Sequence, residues 1–357
     1  MNIAVLLWVS TLVLSIIGFN KRLPTGLLVF ILLLFIIGFR VGTIDYDSYN
    51  SIYKSISLDW STNGFSWFVD INNDKIEWGY ALLIIISKQV YKSFYFFIFF
   101  YYFFTLIFKF YLFHKISNFF YLTVFAYISL GYYTMDMATM RMGLATTLLM
   151  FSYLFIQEKK LFKFILVILL ASSIHIISII AMPLYFVVYF RSSIFWILMF
   201  GISIVISILG GGGKLVSLMV VSILGDSFIS NSLTRYASSD KYEGFTLFGG
   251  TYLLLSLTAI LIFIFKKRLE NVNKYNGNLI IILLFGIVFS ITFYDFGIVS
   301  FRVKDLIVIP ILCLLLPSFI LLFEQKFFIF FALLLYCILF FMAFGGMDMP
   351  YKNLLFN

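Results

Sequence analysis

Long apolar runs, separated by short polar segments, fill most of the sequence. A run of about 17–25 apolar residues with few charges predicts a membrane helix, because about 20 residues cross the hydrocarbon core of a bilayer. We predict about eleven to thirteen such helices. Their approximate spans are 3–19, 23–39, 93–113, 118–135, 138–156, 161–190, 194–209, 246–265, 278–294, 303–322 and 327–343. The expected fold is all-α, with residues 1–357 forming a single integral membrane domain.

Two apolar segments do not fit a simple crossing. Residues 161–190 are too few for two full crossings of about 20 residues each, so we predict a broken helical hairpin with its break near 171–175. About 14 helical residues rise only ~21 Å through a core of ~30 Å, so His175 is expected to lie below the outer surface. The segment 79–91 is too short to cross and is predicted to lie in the outer interface or to dip into it.

The composition excludes a soluble protein. Hydrophobic residues make up 63% of the chain and charged residues 11%, and the mean hydropathy is +1.07. Soluble domains carry about 25% charged residues. The two cysteines and two histidines show neither CxxC nor HxxxH spacing, so we expect no metal site built on them and no cofactor, while a cation bound by carboxylates stays open.

The basic residues predict the orientation of the chain, because Lys and Arg are enriched in cytoplasmic loops. We therefore assign to the cytoplasm the loops that hold most of the clustered basic residues. These residues are Lys21, Arg22, Lys109, Lys115, Lys159, Lys160, Lys163, Arg191, Lys266, Lys267, Arg268, Lys274 and Lys326. This places both termini and two long loops, 40–78 and 210–245, on the external side. Topology accounts for the net charge of +9, so membrane lipids are expected partners and nucleic acid is not.

Four arginines lie on the predicted external side: Arg40, Arg141, Arg235 and Arg302. Three of them, Arg40, Arg141 and Arg302, share a predicted depth at helix ends. The planar guanidinium suits phosphate and keeps its charge, and the helix amino ends at Arg141 and Arg302 would also favour an anion. We expect a metal-free clamp for a diphosphate; the alternative is that each arginine reaches out to lipid headgroups.

The first external loop supplies acidic and aromatic candidates. Asp45 and Glu77, together with His175, are candidate general bases. The aromatic residues predicted to bind sugar rings are Tyr46, Tyr49, Trp78 and Tyr80, with Arg235 as a further substrate-binding residue. Three alternatives remain open: the aromatic residues form an interfacial belt, the two loop carboxylates are only solvated, and His175 caps carbonyls freed at the helix break.

Four short segments carry a family resemblance: residues 40–49 (RVGTIDYDSY), 77–80 (EWGY), 140–145 (MRMGLA) and 169–175 (LLASSIH). In this order and placement they resemble the Wzy and EpsG-like bacterial polysaccharide polymerases. The resemblance implies a multi-pass protein of the bacterial inner membrane whose active site faces the periplasm. Its donor and acceptor would be oligosaccharide repeat units linked to undecaprenyl diphosphate, with a chain-length regulator protein as a further partner.

The implied reaction joins two lipid-linked units and expels the lipid diphosphate of one. Arg40, Arg141 and Arg302 would neutralise the leaving group, and Asp45, Glu77 or His175 would deprotonate the attacking hydroxyl. A flippase for lipid-linked oligosaccharides would need charged residues along a path through the helices, whereas the arginines lie on one side. A ligase that passes glycan to lipid A, or a non-catalytic assembly partner, would share most of these features.

The orientation is testable by thiol labelling. Single cysteines at Asn63 and Asn273, introduced after removal of Cys313 and Cys337, are expected to differ in labelling by a membrane-impermeant reagent on cells with a permeable outer envelope. Residue 63 should label because its loop is external. Labelling of residue 273 but not residue 63 would overturn the orientation.

Overall fold

A computed structural model describes residues 9–13, 26–43, 45–56, 76–209, 212–213, 250–343 and 352–353. These residues are almost entirely helical, which confirms the all-α prediction; the exception is one antiparallel strand pair of two residues each. Arg235, most of the predicted loop 210–245 and most of the first predicted span lie outside the described residues.

Two compact units make up the chain, Met1–Met182 with Leu312–Asn357, and Pro183–Ile311. The first unit contains α1 (Gly26–Gly38), β1 (Arg40–Val41), α2 (Tyr46–Ser55), α3 (Trp78–Val90), α4 (Phe94–Ile116), α5 (Phe120–Tyr127), a π-helix (Ile128–Ala138), α6 (Met140–Gln157), α7 (Leu161–Ile174) and a 3-10 helix (Ile176–Ala181). The second contains α8 (Leu184–Val187), α9 (Ser193–Ile208), α10 (Gly250–Val272), α11 (Asn276–Thr292), α12 (Gly297–Val303) and a second π-helix (Lys304–Val308). The chain then runs through α13 (Ile309–Leu315), a 3-10 helix (Leu316–Leu322), α14 (Lys326–Ala343) and β2 (Lys352–Asn353).

The helices α6 and α7 form an antiparallel hairpin that dominates the first unit. The link is short because Lys159 adopts a left-handed conformation, with φ of 56°, just after α6 ends. Helix α7 then ends at Ile174, and His175 is extended, with φ of −151° and ψ of 107°. The predicted break within 161–190 is therefore observed at His175.

Two helices in the described part of the chain are long and apolar enough to cross a membrane, Phe94–Ile116 and Val299–Leu322. Helix α9 is shorter, and apart from Ser193 at its start its exposed side chains are apolar. Those at least half exposed are Ile194, Ile197, Leu198, Ile202, Val205 and Ile208. Such a continuous apolar surface is typical of contact with lipid or protein. The number of crossings stays a prediction.

Three placements differ from the sequence-based expectations. Lys109 lies inside α4 and is 1% exposed, not in a cytoplasmic loop. Arg302 lies within α12, which begins at Gly297, and so does not precede a helix start. Lys266, Lys267 and Arg268 belong to α10, which extends to Val272. In each case the helix extends past charged residues at which the sequence analysis ended it. A helix can do so because its backbone N–H and C=O groups pair with each other, whatever the side chains are.

Close packing of small and polar residues joins the helices of the second unit. Ser300 Oγ donates to the Ser290 carbonyl at 2.7 Å, and Ser290 Oγ donates to the Ser300 carbonyl at 3.3 Å. Gly286 faces Val308, where an added Cβ would lie 2.8 Å from the valine side chain. Small residues let helices approach closely when lipid provides no hydrophobic force between them.

Candidate active site

Three polar side chains from separate segments of the first unit meet around one carboxylate. Arg141 Nη1 donates to Glu77 Oε2. The other oxygen, Glu77 Oε1, lies 3.5 Å from His175 Nδ1 and accepts from the Ile176 main-chain N–H at 3.3 Å. The exposed fractions are 24% for Arg141, 15% for Glu77 and 12% for His175, so the cluster is shielded but not sealed from its surroundings.

The local backbone explains why these residues meet. Arg141 is the second residue of α6, which follows the non-helical Thr139, and Glu77 directly precedes α3. Helix α3 reaches the end of α7 because Gly79 has no side chain there: a Cβ at residue 79 would overlap the Ser173 side chain and lie 2.8 Å from the Ser173 carbonyl oxygen. This close approach brings Glu77 to the break at His175.

Glu77 is held in its ionised form. Burial raises the pKa of Glu77, but the hydrogen bond with His175 and the Arg141 charge outweigh burial and lower the pKa from 4.5 to about 2. A carboxylate with so low a pKa is a weak proton acceptor near neutral pH. Glu77 is therefore suited to orienting its two neighbours rather than to removing a proton.

Arg141 retains binding capacity beyond its ion pair. Its guanidinium carbon lies 5.9 Å from the Tyr49 ring centre and 5.8 Å from the Tyr80 ring centre, and Tyr49 also hydrogen-bonds to it. Arg141 Nε has no acceptor among the described residues. Nε is buried, so an anionic ligand would meet the exposed part of the guanidinium rather than Nε.

Arg40 has a different environment from Arg141. It is 1% exposed, its Nη1 donates to the main-chain carbonyls of Asp136, at 2.6 Å, and Met137, and its guanidinium lies 5.2 Å from the Tyr102 ring centre. In this position Arg40 supports the end of the first π-helix. Arg302 belongs to the second unit, where it is half-buried, whereas Arg40 and Arg141 belong to the first. The predicted convergence of the three arginines stays a prediction.

The aromatic candidates divide by exposure. Trp78 is 47% exposed and could present a ring face to a sugar, whereas Tyr46, Tyr49 and Tyr80 are at most 6% exposed. The buried rings pack against α4: Tyr46 lies 5.3 Å from Phe94 and Tyr80 lies 6.0 Å from Tyr101. Asp45 is half-buried at the start of α2.

The comparisons with known proteins identify the family. The sequence model of the EpsG family matches residues 25–356, which is nearly the whole chain. The chain belongs to the EpsG family. Membership indicates a role of the polysaccharide-polymerase type and, with the apolar helices, a membrane protein. No curated protein and no solved structure gave a significant match.

The sequence reasoning missed a buried ion pair in the first unit. Lys109 Nζ lies 2.8 Å from Asp136 Oδ2, and these side chains are 1% and 0% exposed. The sequence did carry a signal for this pair: Lys109 and Asp136 have opposite charges and lie in apolar runs that are close along the chain. No group of three or more His, Cys, Asp or Glu side chains that could hold a metal ion occurs in the described part of the chain.

We expect Gly79→Ala to disturb the site. The added Cβ would push α3 away from α7 and separate Glu77 from His175, at a cost of about 1–3 kcal/mol in unfolding free energy and with a loss of polymerising activity. Thermal unfolding in detergent and polymer length in cells measure the two effects.

The matched control is Gly201→Ala in α9, because a Cβ there meets nothing within 4 Å. This control should be neutral or stabilising. Ser173→Gly in the Gly79→Ala background should restore part of the stability, because the Ser173 side chain is the main obstacle. Equal melting temperatures and equal polymer lengths for Gly79→Ala and Gly201→Ala would contradict the close approach of α3 to the end of α7.

The low pKa of Glu77 predicts a pH dependence. The folded-state pKa of about 2 lies below the ordinary 4.5, so the stabilisation is complete above pH 4.5 and is lost as the pH falls towards 2. The difference in melting temperature between the native protein and Glu77→Gln should therefore be present above about pH 4.5 and shrink as the pH falls below it. A difference that stays constant down to about pH 3 would show that Glu77 is not selectively stabilised as the carboxylate.

Proposed function

We propose that this EpsG-family protein is a glycosyltransferase that polymerises oligosaccharide repeat units carried on undecaprenyl diphosphate. The observation that carries the proposal is the cluster of Arg141, Glu77 and His175, which combines a cation, an orienting carboxylate and an imidazole at a partly exposed position. Family membership supplies the polymerase class, and the cluster supplies groups for the chemistry that this class requires.

His175 is the proposed general base. The acceptor hydroxyl attacks the anomeric carbon of the donor, a new C–O bond forms, and the bond between that carbon and the lipid diphosphate breaks. The hydroxyl proton passes to His175 Nε2, while Nδ1 on the opposite edge of the ring faces Glu77 Oε1 at 3.5 Å. Imidazole has the pKa range that suits proton transfer near neutral pH, and Asp45 remains the alternative base.

Arg141 is the proposed contact to the leaving diphosphate. In the resting site Glu77 offsets the charge of Arg141, so the three groups carry no net charge while His175 is neutral. Transfer of the proton to His175 gives the cluster one positive charge as the diphosphate gains negative charge. A positively charged group placed where negative charge develops lowers the barrier most, so this arrangement favours the transition state over the ground state.

The remaining candidates take supporting roles in this proposal. Arg40 fixes the backbone that precedes α6. Arg302 and Arg235 stay candidate contacts to phosphate or glycan, and Trp78 is the exposed sugar platform. We place the protein in the bacterial inner membrane as a multi-pass protein with its site facing the periplasm, and we expect a chain-length regulator protein as its partner.

The reaction can be tested with purified protein and its cognate lipid-diphosphate-linked repeat unit in liposomes. We expect a ladder of products spaced by one repeat, with release of free lipid diphosphate, in the presence of chelator and without nucleotide sugar. Translocation without any ladder would favour a flippase, and transfer only to added lipid A would favour a ligase. A ladder that disappears with chelator would keep the polymerase and overturn the metal-free mechanism.

Variants in the same assay test the assigned roles. Arg141→Ala should slow elongation by about 10²–10³-fold, and Arg141→Lys should recover only part of the rate because a point charge cannot reproduce the planar fork. Lys160→Gln is the matched control, since its ion pair with Glu158 is exposed at the link between α6 and α7. Normal elongation by Arg141→Ala would exclude Arg141 from the reaction.

A further inference from the structure

An ion pair inside the first unit has no part in the proposed chemistry. Lys109 Nζ contacts Asp136 Oδ2 at 2.8 Å and the Tyr127 hydroxyl at 2.9 Å. Lys109 lies in α4, which is one of the two described helices long enough to cross a membrane. Charged groups are unfavourable within a membrane helix and mark functional positions more often than others.

Stability alone does not account for such a pair. Burying two charges removes their hydration, and replacing a buried pair with well-packed apolar side chains is often neutral or stabilising. What the pair provides is a unique geometry, because each charge must meet its partner in one arrangement. The question is therefore which part of the structure the pair holds in place.

The contacts of Asp136 lead to α6, the helix that carries Arg141. The main-chain carbonyl of Asp136 accepts from Arg40 Nη1 and from the Tyr102 hydroxyl. A Cβ at Gly143 would lie 3.0 Å from Asp136 Cγ, so Asp136 also packs directly against the first turn of α6. These contacts join Asp136 to the elements that carry Arg40, α4 and α6.

The backbone between Asp136 and Arg141 explains why the position of Asp136 affects the direction of the Arg141 side chain. The π-helix ends at Ala138, Thr139 leaves helical geometry with φ of −117° and ψ of 79°, and α6 begins at Met140. A slip of one residue where a helix begins turns its side chains by about 100° around the axis. Such a slip would turn Arg141 away from Glu77.

We propose that Lys109 and Asp136 are positioning residues for Arg141: their ion pair fixes the end of the π-helix and thereby directs the Arg141 guanidinium at the diphosphate of the substrate. This proposal rests on the proposed function, because it assumes that Arg141 contacts a diphosphate. It assigns no contact with substrate to Lys109 or Asp136.

The test compares binding of geranylgeranyl diphosphate with binding of geranylgeraniol, the same lipid without the diphosphate. The variants are Asp136→Asn, which keeps the shape of the side chain, and the apolar double variant Lys109→Met with Asp136→Leu. We expect both to fold and to lose roughly tenfold in diphosphate affinity while alcohol affinity stays unchanged. A general packing defect would weaken both ligands alike.

Two controls separate this proposal from the proposed function. Glu158→Gln with Lys160→Gln removes an exposed ion pair from the same unit and should bind both ligands normally. Arg141→Ala should lose diphosphate affinity. If Arg141→Ala loses it and the Lys109 and Asp136 variants do not, the positioning role is wrong and the proposed function stands.

Two other results would also overturn the positioning role. If Arg141→Ala binds the diphosphate normally, the role of Arg141 in the proposed function fails, and the positioning role fails with it. If neither Asp136→Asn nor the double variant folds, the pair is a requirement of the fold and not a positioning device.

Discussion

A single carboxylate, that of Glu77, holds the site together. One of its oxygens accepts from Arg141 and the other faces His175 and the Ile176 amide. Because both neighbours depend on one group, a shift of Glu77 would change the cation and the imidazole together. Its lowered pKa keeps it charged and therefore in place across the neutral range.

The backbone provides the precision that this shared carboxylate requires. Gly79 lets α3 contact the end of α7, and Gly143 lets α6 contact Asp136. The π-helix and the break at His175 are departures from regular helix, and buried backbone groups freed by such departures need other partners. Here Arg40, Tyr102 and Glu77 provide those partners.

The sequence predicted the helical class and the break at His175, because apolar run length and the lack of room for two crossings are local properties. It also named Glu77, Arg141 and His175, but not that they meet, since their contact depends on packing at Gly79. Lys109 was assigned to a loop because a charged residue was taken to end an apolar run. The sequence alone does not show that Asp136 neutralises this charge inside the fold. The start of α12 was missed because Ser300 and Arg302 interrupt the apolar run, so an apolar criterion begins the helix only after them.

The coupling between Glu77 and His175 is the most direct test of this account. A double-mutant cycle would measure elongation rates for Glu77→Gln, His175→Gln and the double variant. Each single variant elongates at some fraction of the native rate, and multiplying the two fractions gives the rate expected if the residues act independently. If Glu77 acts by orienting His175, the double variant should elongate at least about tenfold faster than that expected rate. Rates that multiply independently would contradict the claim that Glu77 and His175 act as one unit.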